Sequence, residues 1–129
     1  MRSLFLLILL APTLLFTSCE KEVFALTDEV SIGFNSSILV QTSTEVLEIE
    51  FNELLEDSRC PPGAECIWEG QVEVKLKLND SNYMELGTGE DMTTSAEFNG
   101  QTIHLIDVLY ASDDDFGNEK KCSVVIRVD

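Results

Sequence analysis

Trp68-Glu69-Gly70-Gln71-Val72-Glu73-Val74-Lys75-Leu76-Lys77-Leu78 decides the fold. Its even positions are apolar or glycine, and its odd positions are charged or glutamine. A period of two puts one face in a core and the other in water, the pattern of a half-buried β-strand. The phase predicts that Trp68 shares the inward face with Val72 and covers one end of the core. Asn79-Asp80-Ser81-Asn82 is a turn signal, and Tyr83 to Leu86 can return as the hairpin partner.

The same pattern recurs on both sides. Upstream, Val30, Ile32 and Phe34 alternate with Ser31 and Gly33, Ser36 to Gln41 is a short apolar piece, and Leu47, Ile49 and Phe51 alternate with Glu48, Glu50 and Asn52. Leu47, Phe51, Leu54 and Leu55 also fit a helical period, but the β-branched and aromatic content favours strand. Downstream, Ala96 to Phe98 forms a short strand and Asn99-Gly100 is a hairpin turn. In Thr102 to Tyr110, Ile103 and Leu105 share one face while Val108 and Tyr110 fall on the other. A bulge near Ile106 or Asp107 reconciles the two phases. Ser112 to Lys121 is a polar loop, and Cys122, Val124, Ile126 and Val128 form a last alternating set. The expected fold class is all-β: an antiparallel β-sandwich of about seven strands, immunoglobulin-like, over residues 28–129.

The amino terminus has a different character. Arg2 is followed by the apolar run Leu4 to Phe16, then by Thr17, Ser18 and Cys19. A run of thirteen residues is shorter than the roughly 20 of a membrane-spanning helix. A charged start, a short apolar centre and small residues before a cleavage point mark a secretory signal. Phe16-Thr17-Ser18-Cys19 resembles the lipobox of bacterial lipoproteins. That resemblance implies a signal peptide over 1–18, a diacylglycerol on the Cys19 thiol and a tether over 19–27. Glu20-Lys21-Glu22 resembles the short charged signal that sends some lipoproteins to the outer face of the outer membrane.

Without the leader, 111 residues remain, enough for one domain. Seven basic residues then face 24 acidic ones, a net charge of −17. Such a chain repels nucleic acid and anionic lipid headgroups, and attracts cations or basic partners. The four cysteines are Cys19, Cys60, Cys66 and Cys122. Export to an oxidising compartment lets them pair. Pro61-Pro62-Gly63 forces a turn between Cys60 and Cys66, so these two form the disulfide and Cys122 is left as a free thiol.

The segment Asp57-Ser58-Arg59-Cys60-Pro61-Pro62-Gly63-Ala64-Glu65-Cys66-Ile67-Trp68-Glu69-Gly70 resembles a signature of small bacterial secreted domains and lipoproteins. Weaker echoes lie at Ile103 to Val108 and in the final strand; where that family often has Pro after the Val108 position, this chain has Leu109-Tyr110-Ala111. The resemblance implies a β domain and carries no activity over. By its own chemistry the segment is structural first: Asp57 and Arg59 can pair across a tight turn or satisfy loop amides. The functional alternative is a stiff loop presenting Arg59, Pro61, Pro62 and Glu65 to a partner.

Catalytic and metal constellations are sparse. Cys60 and Cys66 lack a second pair and His104 is the only histidine, so a closed zinc site has no ligands. Cys122 is in phase with Val124 and Ile126, which makes it a core thiol and not a nucleophile for His104. Asp113-Asp114-Asp115-Phe116-Gly117-Asn118-Glu119 offers hard oxygen ligands, but its acids are consecutive and its glycine stands fifth, which departs from an EF-hand loop. A non-standard calcium site from Asp113, Asp114, Asp115 and Glu119, with Glu90 and Asp91, is the metal alternative.

These observations point to a lipid-anchored, non-catalytic binding or structural domain of the cell envelope, at the outer membrane or its surface. No cofactor is expected. The partners are the membrane, through the lipid, and an envelope protein or extracellular ligand; nucleic acid is excluded by charge. The alternative is a calcium-dependent adhesion or assembly domain.

Overall fold

The computed structural model describes residues 21–129. Among the described residues there are nine strands: β1 Val23–Phe24, β2 Glu29–Gly33, β3 Ser37–Gln41, β4 Val46–Asp57, β5 Val72–Leu78, β6 Asn82–Thr88, β7 Ser95–Phe98, β8 Gln101–Tyr110 and β9 Cys122–Val128. They form two sheets, ordered β1-β3-β4-β5-β6 and β2-β9-β8-β7. Every strand pair is antiparallel except β1 with β3. The fold is thus a β-sandwich.

Alternation builds the core. Val72, Val74, Leu76 and Leu78 of β5 are buried, as are Cys122, Val124, Ile126 and Val128 of β9, and both strands show the strict inward–outward pattern. Leu47, Ile49 and Phe51 of β4 and Ile103, Leu105 and Val108 of β8 complete the packing between the sheets. Burying a side chain of this size contributes roughly 1.5–3 kcal/mol relative to leaving it exposed.

Two ambiguities in the sequence resolve through bulges. The β4–β5 register shifts between Phe51 and Glu53 and again between Leu54 and Glu56. Each extra residue turns the following side chains to the other face, so a bulged strand mimics helical spacing across Leu47, Phe51, Leu54 and Leu55. In β8 the shift lies between Leu105 and Asp107, which brings Ile103, Leu105 and Val108 to one face. Asn99 and Gly100, both at positive φ, make the two-residue turn between β7 and β8.

Two expectations are corrected. Trp68 is not inward: β5 begins at Val72, and Trp68 stands in the preceding loop, 56% exposed. The segment expected as a tether is docked from residue 21 onward, because Val23–Phe24 pairs with Leu39–Val40, the Lys21 ammonium bonds Ser37 and Glu48, and the Thr27 amide donates to the Val128 carbonyl. The connectivity is two meanders, β3 to β6 and β7 to β9, with β2 set beside β9. This strand order establishes the sandwich and does not establish the immunoglobulin-like topology expected within it. The signal segment 1–18 and Cys19 lie outside the described residues.

Candidate functional site

β4 runs toward the end of the sandwich where β5 and β9 begin and β8 ends, since Asp57 pairs with Val72 and Tyr110 with Cys122. The 58–71 and 111–121 loops therefore meet at this end. Between them is a cleft of about 320 Å³ lined by Arg59, Cys60, Pro62, Val108, Leu109, Tyr110, Ser112, Asp113 and Phe116.

A polar network forms one wall. Asp57, whose side chain is 2% exposed, accepts two bonds from the Arg59 guanidinium, Nε to Oδ1 at 2.9 Å and Nη2 to Oδ2 at 2.7 Å. The Tyr110 hydroxyl donates to Oδ2 at 2.6 Å, and the Arg59 amide donates to Oδ1 at 3.2 Å. Burial opposes the charge on Asp57, but the bonds from Arg59 and Tyr110 outweigh it and hold the carboxyl below the usual carboxylate range. Burial and the bond to Asp57 push the Tyr110 phenol up. The bond to Asp57 raises Arg59 further still.

Arg59 also ties the loop to the second sheet. Its Nη1 donates to the Val108 carbonyl at 2.9 Å and lies 3.6 Å from Asp107 Oδ1. β7 covers β8 only from Gln101 to His104, with one further bond from the Leu105 amide to the Thr94 carbonyl. Past that point the β8 edge is open, and an open edge invites another strand. Here Arg59 caps the Val108 carbonyl and the Asp107 carboxylate caps the Val108 amide at 2.7 Å. Phe116 completes the wall, with its ring 5.2 Å from that of Tyr110 and the Arg59 guanidinium 6.0 Å above it.

The disulfide joins Cys60 and Cys66, and Cys122 is a buried free thiol whose pKa burial pushes up to about 11. Gly70, at positive φ, lets the returning chain pass close to Ser58: an added Cβ would stand 2.2 Å from the Ser58 carbonyl oxygen. The Trp68 indole Nε1 donates to that same carbonyl at 2.9 Å.

Of the four loop residues singled out from sequence, the structure brings Arg59 and Pro62 into the cleft, while Pro61 and Glu65 stand exposed outside it. Val108, Leu109, Tyr110 and Phe116 were missed as a group. An aromatic residue at the end of β8 with a second one, Phe116, inside the otherwise polar loop was the signal that could have found them. His104 pairs at 2.9 Å with Asp129, just past the end of the neighbouring strand β9 and away from Cys122. Asp113–Asp115 forms a 3-10 turn in which the Ser112 hydroxyl donates to Asp115, and the Glu119 carboxylate accepts from the Leu54 amide at 2.9 Å. Among the described residues no group of three or more His, Cys, Asp or Glu side chains is placed to hold a metal ion. No family model, curated protein or solved structure matches the chain.

Proposed function

We propose that the chain is a lipid-anchored, non-catalytic binding domain of the cell envelope, carried on acylated Cys19, whose binding face is the cleft between the 58–71 and 111–121 loops. One observation supports this most: the cleft is preformed. A disulfide holds one wall, the Asp57–Arg59–Tyr110 network ties the walls together, and the lining is largely apolar. Its volume is at the low end of ligand sites, which span roughly 300–1,000 Å³. Catalysis finds little support, because the Arg59 cation is committed to Asp57 and Val108 and the Cys122 thiol is buried and protonated at neutral pH.

A photo-crosslinking residue in place of Leu109, at the cleft, or of Tyr83, exposed on β6, tests the reading in the native bacterium. The expected result is a protein in the membrane fraction, bearing acyl chains on Cys19 by intact mass, with a discrete adduct at position 109 only. An unacylated chain overturns the anchoring. Equal or absent adducts at both positions overturn the binding face.

A further inference from the structure

Ile67 and Trp68 are the most conspicuous apolar surface outside the cleft. Ile67 is 101% exposed and Trp68 is 56% exposed, directly after the ring closed by the Cys60–Cys66 disulfide. Exposing two adjacent large side chains, one fully and one by more than half, costs solvation free energy. The bond from the indole to the Ser58 carbonyl fixes the Trp68 ring with its polar N–H turned back to the protein. Such a presentation fits a surface that takes apolar faces, and tryptophan is the residue enriched at the membrane–water boundary.

The direction of the chain argues what that surface is. β1 is parallel to β3, with Val23 beside Leu39, and Leu39 beside Glu48 of β4. Lys21 therefore lies toward Ser37, on the side of β1 that faces along β4 in the direction of Asp57 and the disulfide loop. Cys19 is two residues before Lys21, at most about 7 Å away. Glu50, the partner of Ser37, and Asp57 stand opposite Lys77 and Val72, five residues apart on the regular strand β5, roughly 17 Å at the rise of a strand. A bilayer holding an anchor within that reach of Lys21 can also meet the loop end once the strands lean over it.

We propose that the Ile67–Trp68 loop is a second membrane contact, inserting into the interface of the bilayer that holds the anchor. The idea rests on the acylation of Cys19 argued above. One acyl group set alone leaves a domain free to swivel, and a second apolar contact fixes its orientation and turns the 111–121 loop and cleft toward the headgroups. The acids flanking the pair, Glu65 and Glu69, make the contact one for zwitterionic lipid, since anionic headgroups would repel them.

Trp68 is the only tryptophan in the chain, so its emission reports this loop alone. The acylated full chain is reconstituted in phosphatidylcholine vesicles, with and without lipids brominated near the headgroup end of the acyl chains. Intact mass establishes acylation in the same sample. The expected result is a blue-shifted emission that brominated lipid quenches severalfold, with quenching lost in Ile67→Glu while acylation and vesicle binding persist. An acylated, vesicle-bound chain whose Trp68 is unquenched and emits as the soluble Cys19→Ala chain does overturns the loop contact and leaves the anchor standing. A chain without acyl groups on Cys19 overturns the anchor and the contact with it.

Discussion

The carboxylate of Asp57 and the guanidinium of Arg59 face each other through two parallel hydrogen bonds, although only Ser58 separates them in the chain. A pair so close in sequence would hold only its own turn. Here Asp57 is also bonded by Tyr110 and Arg59 by the Val108 carbonyl, so the contact fastens the end of β4 in one sheet to the end of β8 in the other.

Replacing Asp57 with Asn should therefore destabilise the whole sandwich and not just the loop. The charge left on Arg59 is partly exposed, which places the loss at roughly 2–4 kcal/mol, between an exposed and a fully buried pair. Arg59→Lys should recover little, because an ammonium cannot make the paired contact and reach Val108 as well. Urea unfolding read by the single tryptophan measures both variants; wild-type stability in Asp57→Asn would contradict the assignment.

The depressed pKa of Asp57 sets a direction for pH dependence. In the unfolded chain this carboxyl titrates at about 3.9. A group whose folded value is lower contributes stability that is complete above the unfolded value and is lost as pH falls through the folded one. Stability should thus be flat with respect to this group above about pH 5 and decline below about pH 4. In Asp57→Asn the decline over that window should be shallower, by chemical denaturation at stepped pH.

Closing the short ring between Cys60 and Cys66 should contribute about 2 kcal/mol on the chain-entropy account. Cys60→Ser with Cys66→Ser should lower the melting temperature by several degrees and leave Cys122 unlinked. Peptide mapping without reductant should find the 60–66 link alone. Alkylation of Cys122 should be slow in the native protein and fast in denaturant, given its burial and its raised pKa.

Strict alternation made β5 and β9 legible residue by residue, because their inward and outward positions never change phase. β4 was legible as a strand but not in its pairing, since two bulges shift the register and nothing local in Asn52 or Leu55 announces them. Trp68 misled for a related reason. It keeps the parity of Val72, yet Gly70 at positive φ breaks the strand between them, and parity has no meaning across that turn. Within the site, the turn chemistry around the disulfide was local and readable. The meeting of Asp57 with Tyr110, 53 residues away, depends on the sheets' relative placement, which no spacing encodes.

Gly70→Ala is the sharpest probe of that turn. The added methyl would meet backbone at Ser58 and Arg59, which cannot swing aside as a side chain would, and the backbone angle is itself strained for alanine. A loss of roughly 2 kcal/mol or more is expected, with Trp68 emission altered even in the folded protein. Gly63→Ala, also at positive φ but facing open space, should cost only about 1 kcal/mol.

The acidic loop provides the last test. Asp113, Asp114 and Asp115 form a 3-10 turn, and Glu119, the other carboxylate a calcium site would need, is held on the Leu54 amide beside the bulge. Binding would require Glu119 to give up that bond and leave the Leu54 amide without its partner, a cost of about 1–3 kcal/mol if no water replaces it. The binding reading without calcium therefore leads us to expect that calcium chloride and sodium chloride at equal ionic strength move the melting temperature alike, by screening the carboxylates. A ligand specific to the folded state would instead raise it with concentration by mass action. A calcium-specific rise, reversed by chelator and absent when Asp113, Asp114 and Asp115 are replaced by Asn, would decide for a calcium-dependent adhesion or assembly domain.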